Sequence, residues 1–187
     1  MCGESGAWEA MHGLPFKCSA YAACASPKGF IVSGGLSGRV AQAACHEYVK
    51  EGEWRALPPM PTARCDHGSI HHQGHLYIIG GRISLFGPSL DSVEMLNLES
   101  LQWSTLRRLP RGLYRPYVVS ACKKLFVISS LNDRSVYEYE SERRAWKEKS
   151  RMPYKCEGGS ALSVDEWVYV VGGKERRCVI YYFCTDK

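Results

Sequence analysis

The sequence predicts an all-β protein built from about four tandem, strand-rich units. Two observations carry this: a tryptophan recurs at a fixed distance before a glycine pair, and a short β-branched and aromatic run precedes each pair. Trp8 lies 26 residues before Gly34, and Trp54 to Gly80, Trp103 to Ser129 and Trp146 to Gly172 repeat that interval. The tryptophans themselves recur after 46, 49 and 43 residues, so the variation falls between the pair and the next Trp. A rigid part alternating with a variable one marks a repeated supersecondary unit, because packed strands fix their length and a loop does not.

The runs before the pairs are Phe30-Ile31-Val32, Leu76-Tyr77-Ile78-Ile79, Leu125-Phe126-Val127-Ile128 and Trp167-Val168-Tyr169-Val170-Val171. They are continuous rather than alternating, which predicts strands buried on both faces. At the end of each such strand stands Gly34-Gly35, Gly80-Gly81 or Gly172-Gly173, where positive φ or close backbone approach suits glycine. The third unit departs with Ser129-Ser130, and its turn is expected to differ. A further strand follows each pair, clearest in Val136-Tyr137-Glu138-Tyr139, then in Val93-Glu94-Met95-Leu96, and more loosely in Cys45-His46-Glu47-Tyr48. The Trp comes next, and Leu57-Pro58-Pro59-Met60-Pro61, Leu109-Pro110 and Met152-Pro153 close the units, since Pro ends a ladder.

Composition narrows the function. The 187 residues are 45% apolar with a net charge of +5, enough for one domain with a sizeable core. No block of consecutive Lys and Arg tracks a phosphate backbone, so nucleic acid is not expected, and the apolar runs are strand-length rather than membrane-length. Nine cysteines, odd in number and scattered singly from Cys2 to Cys184, fit a reducing compartment better than a disulfide scaffold. With no signal-peptide pattern at Met1-Cys2-Gly3-Glu4-Ser5, the expected location is cytoplasmic.

In combination, the hydrophobic strand, Gly-Gly, Tyr, Trp and a Met-Pro turn followed by Arg resemble the kelch repeat of the BTB-kelch (kelch-like) family. The segment from Met60-Pro61-Thr62-Ala63-Arg64 to Gly80-Gly81 shows it best. The resemblance implies a kelch β-propeller, and counting strands along the chain gives about four four-stranded blades, with units near 18–57, 64–109, 115–152 and 156–187. Residues 6–15 would add an outer strand to a shared blade. Sixteen strands so counted make four blades, whereas the family this resembles mostly forms six-bladed rings, so the alternatives are a closed four-bladed ring or a stretch of a larger propeller whose other blades and BTB and BACK parts lie outside these residues. In such blades Trp54, Trp103 and Trp146 are architecture, filling the wedge between neighbours.

Catalytic and metal motifs find little support. Cys65-Asp66-His67 with His71, His72 and His75 offers zinc-ligand types, but alternation in a strand sends His71 and His72 to opposite faces, and no other unit repeats the cluster. Lys17-Cys18, Arg64-Cys65 and Lys155-Cys156 place a cation beside a thiol, which would suit a redox sensor; a small half-buried residue at a repeated position is the simpler reading. Gly34-Gly35-Leu36-Ser37-Gly38 is not a nucleophile elbow, and Ser120-Ala121-Cys122-Lys123 falls at a strand junction. The expectation is a protein with no catalytic residue, cofactor or metal.

A binding face follows from strand parity. In a four-stranded meander of strands a to d, the b–c loops share one face with the d–a connections, and the resemblance implies that this face holds the partner. It carries Lys17, Arg39, Arg64, Arg82, Arg111, Arg115, Arg134, Lys155, Lys174, Arg176 and Arg177 against Asp66, Asp91, Asp133, Glu157 and Glu175. The opposite face is near balance. The expected partner is an acidic peptide or loop held by Arg82, Arg115, Arg134 and Arg176, with Phe86 and Tyr114 as apolar anchors. In the family this resembles, such a propeller recruits substrates to a cullin-3 ubiquitin ligase through the BTB part, or binds actin as a cytoskeletal scaffold. A kelch-type propeller enzyme is a third alternative.

Overall fold

The computed structural model describes residues 10, 13–49, 52–131, 133–173 and 177–182, which form strands and loops with no helix among them. Blade 1 consists of β1 (Ala22–Ser26), β2 (Gly29–Ser33), β5 (Cys45–Val49) and β6 (Glu53–Leu57), and the hairpin β3 (Leu36–Ser37) and β4 (Val40–Ala41) lies within its b–c loop. Blade 2 consists of β7 (Gly68–His72), β8 (His75–Ile79), β9 (Val93–Asn97) and β10 (Trp103–Thr105). Blade 3 is β11 (Tyr117–Ala121), β12 (Lys124–Ile128), β13 (Val136–Glu140) and β14 (Ala145–Glu148). Blade 4 shows three strands, β15 (Gly159–Val164), β16 (Trp167–Gly172) and β17 (Arg177–Tyr182). All pairings are antiparallel and join strands consecutive in the chain, except that β2 pairs with β5 across the inserted β3–β4 hairpin. The outer strand expected over residues 6–15 falls mostly outside the described residues; Ala10 and residues 13–15 belong to no strand.

Consecutive blades abut through their innermost strands, β1 on β7, β7 on β11 and β11 on β15. No comparable packing joins β15 to β1 among the described residues. Three apolar clusters fill the junctions. Ile31 and Cys45 meet Leu76, Ile78 and Leu96 between blades 1 and 2. Tyr77, Ile79 and Val93 meet Leu125, Val127 and Tyr139 between blades 2 and 3. Phe126, Ile128 and Val136 meet Val168 and Val170 between blades 3 and 4. The b strands therefore read as continuous apolar runs because alternate residues serve opposite junctions: Leu76 and Ile78 point back, Tyr77 and Ile79 forward. Each fully buried side chain of this size contributes roughly 1.5–3 kcal/mol of transfer free energy.

The tryptophans stitch successive blades. Trp103 donates its indole N–H to the Pro58 carbonyl (3.1 Å), and Trp146 donates to the Arg107 carbonyl (2.8 Å), so each d strand is tied to the loop that leaves the preceding blade. Trp54 stacks edge-on against Phe30 and Tyr48 of its own blade.

Glycine is required where the b strand ends. Gly80 has φ +65° and its N–H bonds the Ser92 carbonyl, closing the b–c loop; a Cβ there would stand 2.6 Å from the Leu113 carbonyl oxygen. Gly80→Ala is expected to cost about 1–3 kcal/mol by strain and displaced backbone, read as a lowered urea midpoint at unchanged slope. In blade 3 the Ser129 N–H makes the same closing bond, to Ser135, at 2.9 Å, but without positive φ. The loop it closes is shorter, which lets serine stand where the other blades need glycine.

Candidate functional site

The b–c loops and the d–a connections lie on one face and hydrogen-bond to one another. Ser19 pairs with Leu36, Cys65 with Arg82, and Val40 of the first b–c loop bridges to Ser84 of the second. At the start of each innermost strand stands a residue in the left-handed region: Ala20 (φ 53°), Asp66 (φ 52°), Arg115 (φ 49°) and Gly158 (φ 76°). The Asp66 N–H donates to the Ala20 carbonyl (2.9 Å), and the Arg115 N–H donates to the Asp66 carbonyl (2.8 Å), lacing blades 1, 2 and 3 together along the inner rim.

This lacing brings together a charged group that spans blades 2 and 3. The Asp66 carboxylate is almost wholly buried; its Oδ2 accepts from Arg82 at 2.9 Å and its Oδ1 from Arg115 at 2.8 Å. The Tyr114 ring lies 3.8 Å from the Arg82 guanidinium and 5.0 Å from that of Arg115. Two cations over one anion leave a net positive charge, and the aromatic ring offers both of them a π face. Arg82 is largely enclosed, whereas Arg115 keeps 59% of its side chain exposed and can turn a fork to an incoming carboxylate.

Apolar side chains stand proud of the same face. Phe86, at the tip of the second b–c loop, is 88% exposed, with Ile83 and Val40 also well exposed. Beside this tall loop the short loop of blade 3 leaves a depression of about 320 Å³ lined by Arg111, Tyr114, Ser129 and Asp133. A projecting aromatic beside a basic step is the form of a protein-recognition surface.

Several charges expected at this face are placed otherwise. Arg64 is fully buried, ion-paired to Glu94 at 2.8 Å and donating to the Gly80 carbonyl at 2.8 Å. Arg111 is neutralised by Asp133 at 2.6 Å, and Asp91 pairs with Arg108 at 2.7 Å. Arg134 is exposed but ties down the Pro153 carbonyl at 3.0 Å. Arg176, with Lys174 and Glu175, lies outside the described residues, and nothing is described of the Arg177 side chain. The surplus of base over acid at this face is therefore smaller than the sequence count of eleven against five. Sequence reasoning counted Asp66 as an opposing acid; it is the hub that orients two of the arginines.

The Cys and His clusters resolve into structure. The Arg64-Cys65 pair is offset by one position from Lys17-Cys18 and Lys155-Cys156: Gly35 bonds the Arg64 carbonyl where Gly81 bonds that of Leu113, so Arg64 holds the slot that Cys18 and Cys156 hold in their units. Burial raises the thiol of Cys65, pushes Cys24 up to about 11 and pushes Cys45 up to about 12, the reverse of an activated thiolate. His67 is buried with Nε2 2.9 Å from Ser33 Oγ, His72 lies 2.8 Å from Ser120 Oγ, and His75 is 2.8 Å from the Gln73 carbonyl. Among the described residues no three metal-ligand side chains converge.

Comparison with known proteins agrees with the repeat. A family model described as "Kelch motif" matches residues 63–110. Kelch-like protein 15 of Danio rerio is 31% identical over 137 residues, covering 67% of this chain and 22% of its own length. Kelch-like protein 41b of Danio rerio is 27% identical over 141 residues, 69% of this chain and 23% of that one. Human kelch-like protein 38 is 25% identical over 188 residues, 95% of this chain and 32% of that one. The chain thus spans between 22% and 32% of the length of the curated relatives it matches. The solved structure titled "Structure of YjhT" superposes with a TM-score of 0.73 at 13% identity over 95% of this chain and 69% of that one, a likeness of fold. Repeat, blade geometry and relatives agree: this chain belongs to the kelch-repeat β-propellers of the kelch-like family, whose membership supports a protein-binding module.

Proposed function

We propose that this propeller captures an acidic segment of a partner protein on the face built from its b–c loops. In a longer kelch-like protein this would make it the substrate-recognition part of a cullin-3 ubiquitin ligase adaptor, acting in the cytoplasm. The observation that carries the reading is the Asp66-Arg82-Tyr114-Arg115 cluster beside the exposed Phe86. Buried Asp66 fixes the two guanidinium planes in advance, so little side-chain entropy is left to lose when a carboxylate docks on Arg115. Phe86 supplies an apolar contact of the kind that dominates binding energy once enclosed.

Arg115→Glu and Phe86→Ala are each expected to weaken binding of a glutamate-rich peptide at least about tenfold, a loss of about 1.4 kcal/mol, in fluorescence anisotropy at low salt. Charge reversal at Arg143 and Arg144 on the opposite face should leave binding within about twofold. Equal effects at both faces would overturn the reading. Co-precipitation of cullin-3 with the full-length parent protein tests the ligase role separately from the peptide site; actin co-sedimentation tests the cytoskeletal alternative.

A further inference from the structure

The repeat buries a carboxylate at one position in two blades and neutralises only one of them. The b strands align on the closing bonds of their b–c loops, Gly34 to Ala44 and Ser129 to Ser135, so Ile31 of blade 1 corresponds to Phe126 of blade 3. Their register partners on the c strands are Glu47 and Glu138, which are 6% and 5% exposed. Glu138 is held by two ammonium groups, with Lys124 Nζ 2.8 Å from Oε1 and Lys149 Nζ 3.0 Å from Oε2.

Blade 1 lacks both lysines. Gly29, the first residue of β2, stands where Lys124 opens β12, and Leu57, the register partner of Cys45, stands where the Lys149 N–H bonds back to Val136. Glu47 is left with the Ser26 hydroxyl, which donates to Oε1 at 2.8 Å. Arg55 is its register partner on β6, yet is exposed and forms no ion pair with it among the described residues. In blade 2 the acid and the cations change together: Met95 replaces the acid, and His75 and Leu106 stand at the two lysine positions. Blade 1 keeps the acid without the cations.

A cavity of about 240 Å³ opens on Glu47 between blades 1 and 2, at the face opposite the b–c loops. Pro27, Leu57 and Leu98 give it apolar walls, and Lys28, Arg55 and Glu99 are exposed at its mouth. Half-buried His71 also lines it, and the His71 Nε2 is buried without a hydrogen-bond partner. Burial lowers the His71 pKa while the Glu47 charge opposes that pull, so the ring is uncharged at neutral pH. With its proton on Nδ1, Nε2 is an acceptor. A carboxylate oxygen and an imidazole nitrogen at the inner end of an apolar sleeve suit a primary ammonium. Burying a carboxylate against one hydroxyl is costly, and an ammonium brought to it offsets that cost while its alkyl stem lies along the walls.

We propose that this cavity takes a lysine side chain of a partner protein, its ammonium donating to Glu47 and His71 where blade 3 uses its own Lys124 and Lys149. Acids beside that lysine in the partner pair with Lys28 and Arg55 at the mouth. The site is on the other face from the Asp66 cluster and does not depend on peptide capture there.

The test is titration of the full chain with n-butylammonium, which is the lysine side chain alone, followed by amide chemical shifts. Saturating shifts at residues 26–29, at Glu47 and at residues 71–74 are expected. Glu47→Gln should weaken binding at least about tenfold, n-butanol should bind at least about tenfold more weakly than the ammonium, and Glu138→Gln should leave the constant within about twofold. Leu57→Lys supplies the missing cation from within the chain; it should abolish binding and raise the unfolding midpoint, a result that loss of folding could not produce. A capped peptide with one lysine between two glutamates should bind at least about threefold tighter than n-butylammonium. Shifts that persist in Glu47→Gln or Leu57→Lys, or that n-butanol reproduces, would overturn the site. A peptide that fails to bind where n-butylammonium does would assign the cavity to a small free amine and overturn the protein partner.

Discussion

Glu94→Ala should destabilise the protein by about 3–5 kcal/mol, among the largest losses available to a single substitution. The change leaves the Arg64 guanidinium, 0% exposed, without its carboxylate partner 2.8 Å away. It also strips Thr62 of an acceptor, since Thr62 Oγ1 donates to Glu94 Oε1. Arg64 retains the Gly80 carbonyl and a longer contact to that of Ser92, but carbonyl dipoles do not balance a full charge out of water. Burial already pulls the Arg64 guanidinium below its ordinary value, with Glu94 opposing that pull. In blade 3 the same two positions hold Leu113 and Tyr137. The double change Arg64→Leu with Glu94→Tyr should therefore recover most of the loss, because exchanging a buried pair for packed apolar groups is often neutral. Thermal unfolding reads the difference: for a chain of this length each kcal/mol moves the midpoint by about 2–4 °C. A single variant that melts with the parent would show that water reaches Arg64.

Acid should loosen the junction of blades 1 and 2 through His67. Its ring is wholly enclosed, packed against the two glycine pairs, and burial together with the nearby Arg64 charge lowers its pKa from 6.5 to about 3. In the unfolded chain the imidazole takes up a proton near its ordinary value, and in the folded chain it does not until about pH 3. The unfolded state thus binds more protons across that window, so stability is complete above about pH 6.5 and falls as pH drops, by up to about 1.4 kcal/mol per unit. Between pH 6.5 and 5 the loss is about 2 kcal/mol, before most carboxylates protonate. Urea titrations of the parent and of His67→Gln over this range should differ in slope against pH; parallel lines would mean that the ring titrates in the folded state.

Much of the fold was legible because the repeat is rigid where strands pack. The 26-residue interval from Trp to the glycine pair measures one fixed piece of structure, the d strand and its connection followed by the next a–b hairpin, so it survives changes in the b–c loop. The continuous b-strand runs were legible for a related reason, since both faces of blades 2 and 3 meet neighbours. β16 carries the same kind of run, and yet Val171 is exposed, because sequence records that a face is apolar and not whether anything covers it. The site was less legible. Charge sums over loops treated Arg64, Arg111 and Arg115 alike, although one is sealed in the core, one is paired with Asp133 and one half-faces solvent. Burial of Arg64 depended on a one-position offset against the other cysteine pairs, which only the hydrogen bond from Gly35 reveals.

The lacing at the inner rim has a consequence for how such a surface changes over time. Ala20, Asp66, Arg115 and Gly158 occupy one structural position, and the bonds from Asp66 to Ala20 and from Arg115 to Asp66 are made by main-chain atoms alone. The position therefore accepts a methyl group, an acid or a base without altering how blades 1, 2 and 3 are joined. Lineages can rewrite the chemistry of the rim one blade at a time, and a new specificity need not wait for a compensating change in the scaffold.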